Sequence, residues 1–228
     1  MTDLTPVHVE VVRVFTDPDG RFGNPLGIVD GALVPPADRQ RVAAELGYSE
    51  TVYVDDAATG TIRIFTATRE MSFAGHPTVG VAWWLHSQGV DVDTLRVPAG
   101  DITVTRDGDL VFVRADSSWG SPWDWRRLDS PEAVEAADPA AYSAGHTFIW
   151  SWIDESAGII RARAFAPAMG VPEDEATGSA VTQLTAQLSR DLLVIQGAGS
   201  HLHTTWQPPT HAAVGGRVLP ADSRNITI

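Results

Sequence analysis

Arg63-Ile-Phe-Thr66, followed after a short gap by Phe73-Ala-Gly-His-Pro-Thr-Val-Gly-Val-Ala-Trp-Trp-Leu85, has a counterpart about 100 residues later. That counterpart is Arg163-Ala-Phe-Ala166, then Ala176-Thr-Gly-Ser-Ala-Val-Thr-Gln-Leu-Thr-Ala-Gln-Leu188. Each copy reads as a short strand, a loop, a glycine followed by a polar residue, and a helix. Each helix is followed by a strand and a small-residue turn, Leu95–Gly100 in one copy and Leu193–Gly197 in the other. Alternating strands, such as Ile102–Thr105 and Leu110–Val113, then close the order. Strand–loop–helix order also recurs by chance in mixed proteins; here several offsets match together, although few residues are identical.

The two helices differ from ordinary surface helices. Thr78 to His86 is apolar on nearly every side, and Ala180 to Leu188 offers small and aliphatic residues on most faces. Helices of this kind are usually buried, so each is expected to form the core of one half, wrapped by strands. Gly75-His76-Pro77 and Thr177-Gly178-Ser179 both read as helix starts, with Pro77 suited to a first turn. A helix start presents unpaired N–H groups and a partial positive charge. Two such starts facing each other would receive a carboxylate without any Arg or Lys.

The rest of the composition narrows the chemistry. There is no cysteine, which removes disulfides, thiolate metal sites and thiol catalysis together. A formal net charge of −13 leaves no cationic excess for nucleic acid, although a small pocket for an anion is compatible with it. The longest plainly apolar run, Val79 to Leu85, is far short of a membrane span, and Met1-Thr-Asp-Leu-Thr-Pro6 lacks the pattern of a signal peptide. A cytoplasmic location, with no membrane and no nucleic-acid partner, is the expectation.

Between the copies, residues 116–156 carry Trp119, Trp123, Trp125, Trp150 and Trp152, five of the eight tryptophans. Trp119 to Trp125 reads as a packed irregular loop. Ser130 caps a short helix begun by Pro131, and Thr147 to Ile153 alternates as a strand. Core or interface packing is the default for the tryptophans, and stacking on a substrate is the alternative.

Four motifs occur in one order: Phe22-Gly-Asn24-Pro25-Leu-Gly-Ile-Val, Ser49-Glu50-Thr51-Val-Tyr-Val, Phe73-Ala-Gly75-His76-Pro77-Thr-Val-Gly, and Glu173-Asp174-Glu-Ala-Thr-Gly178-Ser179-Ala. Together they resemble the PhzF-like (phenazine-biosynthesis) family, over about Val11 to Arg217. The resemblance implies the α+β diaminopimelate-epimerase-like fold: two pseudo-symmetric halves, each a mostly antiparallel sheet or barrel around a central helix. Residues 1–115 would form the half with Glu50 and the Gly-His-Pro start, and 116–228 the half with the Thr-Gly-Ser start. The active site would lie between them.

The resemblance also implies a cofactor-independent, metal-free isomerase or epimerase acting on a small carboxylate-bearing substrate, in a homodimer. Glu50 matches the family's acid/base glutamate and His76 the histidine beside the reacting atoms. Asp174 and Ser179 match residues that hold substrate, and the amides near Gly75, His76, Gly178 and Ser179 would bind its carboxylate. A single glutamate can remove and return a carbon-bound proton if burial brings its pKa toward the working pH. Three positions depart from the common pattern: Gly47 stands where Asn is frequent, Glu175 where Pro is frequent, and Ala198-Gly199-Ser200-His201 replaces Arg-Pro-Ser.

Plainer roles stand beside these. Glu50 alone is a solvated glutamate at a strand start, His76 a helix cap, Asp174 an acceptor for its own loop, and Ser179 a helix-start residue. Asn24 reads more readily as a turn-builder than as a catalytic group, although it and Ser49 are positioned to line the pocket. The other histidines show no metal-ligand spacing; His201 and His203 share a strand face but lack a third ligand. Two further functions are open: a binding protein that kept the scaffold without turnover, and a serine hydrolase built from Ser179, His76 and Asp174. The Thr-Gly-Ser-Ala sequence is not a Gly-x-Ser-x-Gly elbow.

Overall fold

A computed structural model describes residues 6–227; residues 1–5, on which the reading of the N-terminus rests, lie outside the described residues. The first half contains β1 (Pro6–Thr16), β2 (Asn24–Asp30), α1 (Arg39–Leu46), β3 (Thr51–Asp56), β4 (Thr61–Phe65), β5 (Glu70–Met71), α2 (Gly75–Ser87), β6 (Thr94–Val97), β7 (Gly100–Asp107) and β8 (Leu110–Asp116). There follow β9 (Asp124–Arg127), α3 (Pro131–Glu135), β10 (Thr147–Asp154), β11 (Ile159–Ala166), β12 (Val171–Asp174), α4 (Gly178–Leu188), β13 (Leu192–Gln196), β14 (Ser200–Gln207) and the long β15 (His211–Thr227).

The repeat is visible in the pairing. β2 runs parallel to β3, β3 antiparallel to β4, β4 parallel to β6, and β6–β7–β8 continue antiparallel. In the same way β9 runs parallel to β10, β10 antiparallel to β11, β11 parallel to β13, and β13–β14–β15 continue antiparallel. β5 and β12 each add to the equivalent strand, β4 and β11. The chain is thus α+β, with two similar halves each built around one helix.

β15 belongs to both sheets. Its beginning lies between β8 and β14, and its remainder pairs with β1, which closes β1-β2-β3-β4-β6-β7-β8-β15 into a barrel. Among the described residues no pairing brings β9 back to β15, so the second sheet stays open.

Period-two alternation lets β1 serve two cores. Val7, Val9 and Val11 face the cluster under α1, whereas Val12 and Val14 face α2 inside the barrel. Leu85, Val79 and Val81 of α2 are fully buried there, each worth about 1.5–3 kcal/mol of transfer free energy. Gly80 is required by this packing: a Cβ there would stand 2.5 Å from Leu26 Cδ2 and 2.7 Å from Val14 Cγ2. α4 has polar residues in its buried stripe, and their hydroxyls are satisfied. Thr182 donates to the Gly178 carbonyl at 2.8 Å, and Thr185 meets Thr204 at 2.6 Å.

The expected cap at Ser130 is present, with its Oγ accepting from the Ala133 amide at 3.2 Å. The tryptophan stretch is more ordered than its composition implies. Ser117–Trp119 forms a 3₁₀ turn, and Trp125 lies in β9 rather than in a loop. Parallel pairing with β10 supplies the backbone partners that let this Pro-flanked segment extend. Trp123 and Trp150 are buried; Trp123 and Trp125 pack on Phe148, and Trp150 on Trp152. No helix of the described residues is long and apolar enough to cross a membrane.

Candidate active site

Parallel strands begin at the same end of a sheet. Because β2 and β3 pair in parallel from Gly27↔Thr51, Asn24 at the start of β2 comes near Ser49 and Glu50, just before β3. Gly47, with φ of 72°, ends α1 in a left-handed turn and sends the chain into Tyr48-Ser49-Glu50. Glycine takes that conformation without steric cost.

The starts of α2 and α4 meet at this end. A Cβ on Gly75 would lie 3.0 Å from Gly178 Cα, and one on Gly178 would lie 3.0 Å from both Gly75 Cα and the His76 nitrogen. Two backbones therefore touch, and only glycine allows it. Neither start carries a side-chain cap, so no capping side chain takes up the first-turn amides, which include those of His76 and Ser179.

The other side chains join in one network. His76 Nδ1 is 3.0 Å from Glu50 Oε2, and His76 Nε2 is 3.1 Å from the Asn24 carbonyl. Asn24 Nδ2 donates to Asp174 Oδ1 at 2.8 Å, and Ser49 Oγ donates to Asn24 Oδ1 at 3.3 Å. Thr177 Oγ1 donates to Asp174 Oδ2 at 2.6 Å. The structure thus brings together Asn24, Ser49, Glu50, Gly75, His76, Asp174, Gly178 and Ser179.

Proton positions follow from the partners. The Asn24 carbonyl can only accept, so His76 Nε2 carries a proton. The contact between Nδ1 and Glu50 then holds one further proton, resident on one group or the other. Burial raises the Glu50 carboxyl, but the hydrogen bond and charge of His76, with Ser49, outweigh it and hold Glu50 below its ordinary value. This corrects the expectation that burial would bring Glu50 toward neutrality. Asp174 moves the other way: burial and the charge of Glu50 raise it to about 6, against the hydrogen bonds of Thr177 and Asn24 and the charge of His76.

Other expectations change as well. Asn24 is more than a turn-builder, since its side chain ties the first half to Asp174 in the second. Asp174 caps no helix amide; it is met by the Thr177 hydroxyl and Asn24. The hydrolase triad is absent, because both ring nitrogens of His76 are engaged by Glu50 and Asn24 rather than by Ser179. Among the described residues no group of three or more His, Cys, Asp or Glu could hold a metal ion.

One supporting residue, Gln196, carries no sequence signal, and the sequence marks Trp119 only as a packing or stacking residue of the connection. Gln196 is fully buried; its amide donates to the Asp174 carbonyl at 3.0 Å and to Thr177 Oγ1 at 2.9 Å, and accepts from the Thr177 amide at 3.2 Å. Trp119 packs edge-on to Phe73 at 5.5 Å, while the adjoining Gly120 lies against Ser179 and Gln183. The connection therefore touches the approaches to both helix starts. A cavity of about 200 Å³ adjoins the site, lined by Tyr48, Ser49, Thr66, Ala67, Val171 and Pro172 among others. A larger one of about 480 Å³, along Ser117, Ser118, Gln183 and Gln187, contains no titratable side chain and so offers no proton-transfer chemistry.

Comparison with known proteins agrees with this architecture. The family described as phenazine biosynthesis-like protein matches residues 12–119 and 128–205. A trans-2,3-dihydro-3-hydroxyanthranilate isomerase from Pseudomonas fluorescens is 30% identical over 208 residues, covering 74% of this chain and 75% of that one. The structure of a PhzF family protein from Enterococcus faecalis superposes with a TM-score of 0.80 at 20% identity, over 98% of this chain and 100% of the other. A hydroxyproline epimerase from Agrobacterium vitis shares the fold at a TM-score of 0.66 and 12% identity, over 98% and 93% of the two chains.

Proposed function

The chain belongs to the phenazine biosynthesis-like protein family, and from that premise we propose that it is a cofactor-independent isomerase or epimerase moving a proton on a small carboxylate-bearing metabolite. Glu50 is the base. The observation that carries this reading is the hydrogen-bond network that joins Glu50 through His76 and Asn24 to Asp174; within it the surroundings lower Glu50 and raise Asp174. Two titratable groups driven apart by their surroundings divide into a base and an acid.

The substrate carboxylate rests on the amides at the abutting starts of α2 and α4, where their dipoles favour negative charge. Glu50 takes a proton from a neighbouring carbon, and the electron pair of that C–H bond stays on the substrate. The same amides stabilise the developing charge, while His76 holds the Glu50 carboxyl in place. Glu50 then returns the proton to a second carbon, or Asp174 delivers its own proton to the opposite face, after which Glu50 loses and Asp174 regains a proton by exchange with solvent water. No thiol pair is available for this work, and no lysine for a Schiff base, since all 16 cationic Lys and Arg positions are arginine.

The test is proton NMR in D₂O of a panel of small amino-, hydroxy- and unsaturated carboxylic acids with dialysed, chelator-treated protein. Deuterium entering one C–H position supports a proton-transfer enzyme that needs no added cofactor. Binding of a panel member without exchange contradicts it and favours the scaffold that binds without turnover.

A further inference from the structure

Glu175 and the Ala198-Gly199-Ser200-His201 turn come together in space. Glu175 follows Asp174 directly. Its Oε2 accepts from the Ala198 amide at 2.8 Å, and its Oε1 accepts from the Ser200 hydroxyl at 2.6 Å. Ser200 is fully buried, and its Oγ also accepts from the amide of Gly23 at 3.0 Å. Gly23 directly precedes Asn24. The 197–200 turn is shaped around these contacts: a Cβ on Gly197 would fall 2.2 Å from Glu175 Oε2, and one on Gly199 would fall 2.7 Å from the Phe22 ring.

A line of hydrogen bonds, Gly23 to Ser200 to Glu175, therefore runs beside the line from Asn24 to Asp174. Each begins in the first half on one of two adjacent residues and ends in the second half on one of two adjacent residues. We propose that Glu175 and Ser200 are positioning residues, a clamp that sets how closely the Asn24 loop approaches Asp174 and so holds the two halves of the catalytic network in register. The inference rests on the reading of Asp174 and Glu50 as the reacting pair.

The clamp touches neither substrate nor the reacting atoms, so its signature is the behaviour of Asp174. Glu50, His76, Asn24 and Thr177 are the groups that act on that carboxyl. Loosening the clamp admits water to it and moves it away from the Glu50 charge, which lowers its pKa, and lengthens the Asn24 hydrogen bond, which raises it; burial and the Glu50 charge are the larger influences, so the net movement is downward. Ser200→Ala changes no charge and removes the link to Gly23. Glu175→Asp also keeps the charge but withdraws the carboxyl by one carbon from Ser200 and Ala198.

The experiment is a ¹³C NMR titration of the Asp174 carboxyl in the full chain without ligand, for wild type and both variants, with deuterium exchange measured alongside. The expected result is a midpoint lower by about one unit in Ser200→Ala and an exchange rate at saturating substrate down by about tenfold, with far-UV circular dichroism unchanged. Glu175→Asp decides the matter if Ser200→Ala does not fold. A residue that merely stiffens the 197–200 turn would lower the melting temperature and leave the Asp174 midpoint in place, and an unchanged midpoint overturns the proposal. The titration needs no turnover. Exchange that survives Glu50→Gln would instead sink the reading of the site and leave the clamp to be judged by the midpoint.

Discussion

Replacing Gly178 by alanine puts a methyl carbon 3.0 Å from both Gly75 Cα and the His76 amide nitrogen. The ordinary separation for such contacts is about 3.5–4.0 Å, so the two helix starts must part by roughly 0.5–1 Å. No flexible side chain is present to absorb the strain, because the opposing atoms are backbone. Overpacking of this kind costs about 1–3 kcal/mol. At about 2–4 °C per kcal/mol for a chain of this size, that is a visible loss in a melting curve. The functional cost is larger. The same movement separates the amides proposed to receive the carboxylate and shifts His76 from Glu50, and a misplacement near 1 Å can lower the rate by about 10²-fold. Urea unfolding and deuterium exchange on the same preparation measure both effects. A Gly178→Ala protein with wild-type stability and wild-type exchange would refute the claim that the helix starts form the receptor by direct contact.

Removing His76 as His76→Ala leaves only Ser49 to oppose the burial of Glu50, so its carboxyl rises; the acid limb of the exchange rate against pH is expected to move to higher pH, and an unmoved limb argues against the pairing. Gln196→Leu strands the Thr177 amide and the Asp174 carbonyl in a buried site, with an expected loss on the order of 3 kcal/mol in urea unfolding. Asp174 titrates at about 6 when folded, against an ordinary value of 3.8. The folded state therefore holds this proton longer than the unfolded chain, and stability contributed by the group is lost as pH rises between those values. Asp174→Asn is accordingly expected to gain stability relative to wild type at pH 7–8 and to gain little near pH 4; equal differences at both pH values would contradict the shift.

How far the sequence reaches is clear from particular residues. The central helices were legible because α2 is apolar around its whole circumference, and the glycines that open both helices mark close backbone approach. The repeat was legible for the same reason, since strand, glycine and helix recur at matched offsets. The second sheet's open edge was not legible, because closure depends on where β9 ends relative to β15 and no local preference encodes that. At the site, Glu50, His76 and Asp174 could be named from their motifs, but the direction of the Glu50 shift could not. It depends on which wins, burial or the His76 contact, and that is decided by a 3.0 Å distance between residues 26 apart. The partners of Gln196 and Ser200 were not legible for a related reason: a buried polar residue in a strand looks like any other until its contacts are known.

The central claim is that Glu50 moves the proton. Its most direct test is the rate of deuterium incorporation at the exchanging carbon, compared between wild type and Glu50→Gln at equal substrate saturation. The neutral amide has nearly the same shape and cannot accept the proton, so the exchange rate is expected to fall by about 10²–10⁴-fold with binding retained. Exchange that persists in Glu50→Gln within a factor of a few would contradict the account and assign the base to another residue.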